Sequence, residues 1–207
     1  MQALRVVPKV FYFDTFKEFN KEFKITERDV IVTNEWIYTP YIKPLGVKAG
    51  VIYQEKFGSG EPSDEMIDAM KKEMDKFTFD RIIAIGGGTI VDICKILALE
   101  VPEKSVDLFT GEVLPKKLKE LLVIPTTCGT GSEVTNVAIA ELKSLKTKKG
   151  LAVEETYADY AILVPESLQG LPDYVFSTSS IDALVHATES RSEEHTSELQ
   201  SPSIISY

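Results

Sequence analysis

The sequence predicts an α/β fold built on a parallel β-sheet with helices on both faces. Three observations predict it. Two wholly apolar runs, Ile82-Ile83-Ala84-Ile85 and Leu121-Leu122-Val123-Ile124, each lead straight into a glycine-rich segment. Strand-like and helix-like segments alternate through the first two thirds of the chain. The 207 residues are 43% hydrophobic, enough to bury a substantial core.

The elements follow in order. Asp29–Thr33 and Gly50–Tyr53 read as buried strands, being short, β-branched and apolar. Pro62-Ser63 opens a helix. Ser63 is its N-cap, Asp64 and Glu65 suit the first turn, and Met66, Ile67, Met70, Met74 and Phe77 recur at helical spacing. That methionine stripe is better explained as core than as a ligand-binding face. A strand at Arg81–Ile85 follows, then a helix carrying Ile90, Ile93, Ile96 and Leu97, then the strand at Leu121–Ile124. After Ser132 the texture changes. Val134–Leu142 and Gly150–Val153 flank a Lys-rich turn and suggest an antiparallel hairpin appended to the sheet. Ala161–Val164 reads as one more buried strand, and a helix starts from Pro172.

The glycine-rich segments carry the chemistry. Gly86-Gly87-Gly88-Thr89-Ile90-Val91-Asp92 and Pro125-Thr126-Thr127-Cys128-Gly129-Thr130-Gly131-Ser132-Glu133 each sit where a strand ends and a loop begins. Without a Cβ, such a loop lets backbone N–H groups approach a phosphate, and a following helix N-terminus adds a favourable dipole. Two such loops in one domain fit a diphosphate-containing cofactor better than a lone phosphate. The plainer reading of either loop alone is a turn joining strand to helix. A third feature is Asp182 and His186, four residues apart in the last helix. That spacing places carboxylate and imidazole on one face, one turn apart, able to share a metal ion. In isolation such a pair is more often a surface interaction.

Taken together, Gly86-Gly87-Gly88-Thr89-x-x-Asp92-x-x-Lys95, the Pro125–Glu133 segment and Asp182-Ala183-x-x-His186-Ala187-x-Glu189 resemble the metal-dependent, iron-containing alcohol dehydrogenase family. The resemblance runs from about Lys9 to Ser190. The text at Gly60–Met66 and Thr127–Val137 is most similar to the 4-hydroxybutyrate dehydrogenase branch. The resemblance implies a Rossmann-like parallel-sheet N-terminal domain of the dehydroquinate synthase-like/iron alcohol dehydrogenase fold. It divides the chain into a dinucleotide-binding domain over 1–171 and, over 172–190, the first helix of an all-α metal-binding domain.

It also implies an NAD-dependent alcohol dehydrogenase, NADP not being excluded, that interconverts 4-hydroxybutyrate and succinate semialdehyde by hydride transfer. A divalent metal, Fe²⁺ with Zn²⁺ as the alternative, would act there as a Lewis acid on the alcohol oxygen. By resemblance Gly86, Gly87, Gly88, Thr89 and Asp92 cradle the pyrophosphate, while Thr126, Thr127 and Thr130 donate along the phosphates. Ile139, Lys148 and Gly170 fall on positions that line the cofactor cleft in relatives; for Lys148 a solvated charge is the competing reading. Ser132 and Glu133 hold the second loop in shape, and Lys95 pairs with a carboxylate. Asp182 and His186 are the metal ligands, and two further histidines of the family pattern have no counterpart here. One position departs from the NAD-specific pattern. Where such relatives carry an Asp that accepts from the adenosine ribose, this chain has Asn34, which can hydrogen-bond the hydroxyl but brings no charge against a 2′-phosphate.

Residues Arg191–Tyr207 do not continue the family pattern. They resemble an in-frame translation of a common short-read sequencing adapter, so they are set aside as non-native together with His195, one of only two histidines. The resemblance then describes a C-terminally truncated chain carrying half a metal site.

Composition excludes several classes. The net charge is −9, and −7 once the one Arg and three Glu of residues 191–207 are removed. So acidic a chain argues against nucleic acid or an anionic membrane as partner. Lys143, Lys146, Lys148 and Lys149 form its one basic run, read as a solvated hairpin. Cys94 and Cys128 are too few and too separated for a disulfide framework, and neither has a second Cys at metal-ligand spacing. The N-terminus shows no apolar leader, so the protein is read as cytoplasmic, with a small alcohol or aldehyde as substrate and a homo-oligomeric parent. Rival readings are a glycerol dehydrogenase-like or dehydroquinate synthase-like enzyme, and a non-catalytic nucleotide-binding module.

Overall fold

The computed structural model describes residues 7–193. Residues 194–207, with His195 and most of the set-aside tail, lie outside the described residues. Six strands form one parallel sheet: β1 (Lys9–Tyr12), β2 (Asp29–Thr33), β3 (Gly50–Tyr53), β4 (Arg81–Gly86), β5 (Glu120–Pro125) and β8 (Tyr160–Leu163). Their spatial order is β1-β8-β5-β4-β2-β3. Intervening in sequence are helices α1 (Phe16–Phe23), α2 (Glu35–Ile37), α3 (Asp64–Met74), α4 (Gly88–Leu97) and α5 (Val106–Thr110). A hairpin, β6 (Val137–Leu142) and β7 (Thr147–Ala152), precedes β8, and α6 (Asp173–Glu193) ends the described chain. The six-stranded parallel sheet and its helices match the α/β expectation.

The central strands are apolar without interruption because both sheet faces are buried. Val30, Val32, Ile82, Ala84, Leu121 and Val123 point into one core, shared with α3 and α4. Their strand neighbours Ile31, Ile83, Ile85, Leu122 and Ile124 point into the other, with Phe16 and Phe19 of α1. The period of two along each strand thus feeds two separate cores. Ser63 caps α3 as its sequence suggests, accepting from the Met66 N–H at 3.3 Å.

Two elements differ from the expectation. The hairpin is not an extension of the main sheet but a separate two-stranded sheet. Only Ala138, Ala140 and Leu142 of β6 are buried, and they join the α3/α4 core. The hairpin lies on those helices and is held at its ends: the Glu141 N–H donates to the Pro62 carbonyl and the Lys143 N–H to Asp64 Oδ1. Its second strand also starts earlier, at Thr147, because the Lys-rich turn closes at Lys146 in a left-handed conformation (φ 51°). The other difference is an addition. Strand β1 and helix α1, unread in the sequence, place Lys9–Tyr12 beside β8 and pack Phe11, Phe13, Phe19 and Phe23 ring against ring. Among the described residues no helix is long and apolar enough to cross a membrane.

Candidate functional site

The sheet is parallel, so the C-terminal ends of β2, β3, β4 and β5 open on one edge, where ligands of such sheets bind. A cleft of about 370 Å³ lies there, within the range of small-molecule sites. Gly87, Thr89, Thr126 and Thr127 line it from the two glycine-rich loops. Asn34 and Gln54 line it from the ends of β2 and β3. Gly170, Pro172 and Val175 close it from the start of α6.

Gly87 is the N-cap of α4, so the first N–H groups of that ten-residue helix have no partner within it and face the strand-end loop. Gly87 has φ −76° and ψ −177°, ordinary extended backbone. A Cβ there would meet only Thr127, with Cγ2 at 3.5 Å and Oγ1 at 3.8 Å. The protein itself therefore has room for a Cβ at Gly87; the space it would enter is the gap between the two loops. That gap, walled by threonines and headed by a helix N-terminus, fits an anionic phosphate bridge. Gly86 has a different part. It is buried at the end of β4, and a Cβ would lie 2.4 Å from Ile90 Cδ1, so glycine there permits close strand–helix packing. Gly88 sits in the first turn, where a Cβ would lie 3.7 Å from Thr130 Oγ1. The Thr89 hydroxyl donates to the Gly60 carbonyl at 3.1 Å.

Asp92 and Lys95 hold the framework. Asp92 accepts from Ser132 Oγ at 2.6 Å and from the Ile139 N–H at 3.1 Å. The Lys95 ammonium, fully buried, donates to Ser132 Oγ, Thr135 Oγ1 and the Val137 carbonyl, and stands 3.5 Å from Asp92 Oδ1. Burial holds the Lys95 amine below its ordinary value, and the Asp92 carboxylate offsets only part of that. One ion pair thereby ties α4, the second loop and the hairpin together. Lys95 pairs with a carboxylate as its spacing suggests, and Ser132 braces the loop. Thr130 accepts from the Ser132 N–H at 3.4 Å and is not in the cleft wall. Ile139 presents a half-exposed side chain from β6, and Lys148 of β7 pairs with Glu61 in the loop before α3; Ile139 and Lys148 both lie outside the cleft wall.

Helix α6 crosses the second loop. A Cβ on Gly129 would lie 2.9 Å from Asp182 Oδ2 and 3.2 Å from the Ser179 carbonyl, so glycine there admits the helix. Asp182 Oδ2 and His186 Nδ1 are 3.8 Å apart and both half-exposed. Two ligands on one tetrahedral ion, each about 2.1 Å from it, sit roughly 3.4 Å apart, so this oxygen–nitrogen pair fits two positions of one metal. Among the described residues no group of three His, Cys, Asp or Glu comes together to complete a site.

The thiols behave differently. Cys128 Sγ contacts the Ser179 and Ser180 hydroxyls, each at 3.5 Å, and those contacts lower its pKa. Cys94 is buried in the α4 core, and burial pushes its thiol up. Iodoacetamide will therefore alkylate Cys128 of the folded chain and spare Cys94, as peptide mapping will read. Equal labelling of both would contradict these environments.

Residues 8–165 match the profile of the iron-containing alcohol dehydrogenase family. The chain belongs to that family. It is 53% identical over 189 residues to a 4-hydroxybutyrate dehydrogenase from Clostridium kluyveri, across 91% of this chain and 51% of that protein. It is 38% identical over 132 residues to a sulfoacetaldehyde reductase from Bilophila wadsworthia, across 63% of this chain and 34% of that protein. The chain thus spans about half or less of the length of the relatives it matches. Its fold is similar to that of a sulfoacetaldehyde reductase from Bifidobacterium kashiwanohense in complex with NAD⁺, with a TM-score of 0.73 at 20% identity, covering 88% of this chain and 51% of that one.

The sequence carries no motif at Trp36, Gln54, Leu171, Pro172 or Val175, which also line the cleft of this alcohol dehydrogenase-family chain. Trp36 follows the end of β2 by three residues, the place where the parallel-sheet rule locates ligand contacts.

Proposed function

We propose that this chain is the dinucleotide-binding half of a metal-dependent alcohol dehydrogenase acting on 4-hydroxybutyrate and succinate semialdehyde with NAD. One observation carries the reading. The cleft between Gly87 and Thr126-Thr127 is closed by Pro172, which leads into α6, and by Val175 of α6, the helix that presents Asp182 and His186. Cofactor loops and metal donors are therefore adjacent ends of one site. The 53% identity to a 4-hydroxybutyrate dehydrogenase supports the substrate.

The residues divide the work. The N-terminus of α4 and the Gly87 gap would hold the pyrophosphate, with the Thr126 hydroxyl and the Thr127 hydroxyl and N–H as donors, since the Thr126 N–H is taken by the Gly86 carbonyl. Asp92 and Lys95 fix the distance between the loops, and Asn34 stands at the ribose end. Domain bounds follow: residues 1–171 serve the dinucleotide and 172–190 open the metal-binding helical part. Asp182 and His186 would hold the metal, Fe²⁺ or Zn²⁺ by the hard-and-borderline character of the donors. When bound, that ion supplies Lewis-acid polarisation of the alcohol or carbonyl oxygen. The complete enzyme is taken as a cytoplasmic homo-oligomer.

The test separates the two halves. With NAD⁺, 4-hydroxybutyrate and Fe²⁺, the 207-residue chain alone will show no turnover, because catalytic metals usually need at least three protein ligands. Joined to a helical domain of its relatives' length, it will oxidise 4-hydroxybutyrate. In that longer protein His186→Ala will lower metal content and turnover together while NAD binding survives. Turnover by the isolated chain at the rate of the longer protein would overturn the assignment.

A further inference from the structure

The ribose end of the cleft carries a charge that its own strand does not provide. At the end of β2, Asn34 Nδ2 donates to Glu55 Oε2 at 2.8 Å. The other carboxylate oxygen, Glu55 Oε1, accepts from the Glu35 N–H at 2.7 Å. An ionised carboxylate only accepts, so this contact fixes the Asn34 amide with nitrogen toward Glu55 and leaves Oδ1 as its acceptor. The arrangement follows from the sheet: β2 and β3 are parallel neighbours with Thr33 opposite Tyr53, so the residues just beyond them meet. Glu55 is thereby held by two charge-assisted bonds at the position beside Asn34, rather than swinging free in solvent.

The surroundings reinforce the sign. The shallow rim beside the cleft is formed by Glu35, Trp36, Thr39, Pro40 and Glu55, two carboxylates with no cation among them. No Lys or Arg lines the cleft itself. The adjacent cation, Lys56, lies over the Tyr53 ring, 4.9 Å from its centroid. The Tyr53 phenol is raised, first by burial and then by Tyr38, Glu35 and Glu55.

We propose that Glu55 is the residue by which this protein selects NAD over NADP, supplying from the end of β3 the negative charge that Asn34 lacks. The proposal rests on reading the cleft as a dinucleotide site. Asn34 Oδ1 takes the ribose 2′-hydroxyl as acceptor, and the Glu55 carboxylate behind it repels a 2′-phosphate. Two residues do together what one acidic side chain does in the usual arrangement. An Asn at this position does not by itself signal relaxed cofactor choice.

Trp36, the single tryptophan, lines the cleft and gives the readout. The 207-residue chain will be titrated with NAD⁺ and NADP⁺ while Trp36 fluorescence is followed. The wild type will respond to NAD⁺ at concentrations where NADP⁺ gives nothing, and the discrimination will weaken as salt is raised. Glu55→Gln keeps the shape and an acceptor for Asn34; it will tighten NADP⁺ roughly tenfold, the scale of one partly screened charge interaction, with NAD⁺ nearly unchanged. Glu55→Lys will reverse the preference. An unchanged NAD⁺/NADP⁺ ratio in both variants, with NAD⁺ still bound, would overturn the role of Glu55 alone. A wild-type chain that responds to neither nucleotide would overturn the dinucleotide reading and this proposal with it.

Discussion

Replacing Lys95 with methionine will lower the unfolding free energy by about 3 kcal/mol, the scale on which a buried pair fails when one partner is removed. Methionine matches the length of the lysine stem, so little volume is lost. What disappears is the ammonium that serves Ser132 Oγ, Thr135 Oγ1 and the Val137 carbonyl at once. Those acceptors lie on and just after the second glycine loop and at the base of β6; Ser132 is buried and loses its partner outright, while Thr135 and Val137 are only partly covered. The paired change Lys95→Met with Asp92→Asn will cost less than the sum of the two singles, because each removes the partner of the other. Urea unfolding of the four proteins measures this. A single-variant loss under about 0.5 kcal/mol, the range of an ordinary surface substitution, would mean that the ion pair does not tie the loops together.

Gly87→Val will leave the fold intact and reduce NAD affinity roughly 100-fold, the equivalent of two lost charge-assisted bonds of about 1.5 kcal/mol each. The two halves of that statement come from different observations. The backbone of Gly87 is in an extended conformation that valine adopts freely, and a Cβ meets Thr127 at ordinary contact distance. Stability is therefore spared. The same Cβ occupies the gap through which phosphate oxygens would reach the N–H groups of α4. Calorimetric titration with NAD⁺ alongside thermal unfolding reads both. Gly86→Val, in contrast, will destabilise the protein, since its Cβ collides with Ile90.

Much of this site was legible because its signals are local. A wholly apolar run ending in glycines marks β4 and α4, and the Ser63 cap marks α3, each within a few residues of sequence. Other parts were local yet unread. Thr15 caps α1 by accepting from the Glu18 N–H, and Glu18 Oε2 reaches back to the Asp14 N–H, a Thr-x-x-Glu pattern that announces a helix start. Strand β1 is four residues long and mostly exposed at the sheet edge, so it lacks the apolar run that marks the inner strands. The hairpin was recognised as a hairpin, but not where it lies. That depends on Ala138 and Ala140 facing α4 rather than on any hydrogen bond to the sheet. The Asn34–Glu55 contact needs the strand order, since only the adjacency of β2 and β3 brings together residues 21 apart. The approach of Asp182 to His186 on one helix face was legible by spacing, whereas the contact of Asp182 with the second loop depends on Gly129 letting α6 cross it.

Central to the proposed function is a dinucleotide pyrophosphate in the cleft at the ends of β4 and β5. An amide NMR titration of the isotope-labelled chain with NAD⁺ tests it residue by residue. The N–H signals of Gly87, Gly88, Thr89, Thr126 and Thr127 will move together and saturate, with Asn34 following at the ribose end and the Phe cluster around α1 unmoved. Saturable shifts centred elsewhere on the molecule, with the amides of the two glycine-rich loops unperturbed, would contradict it.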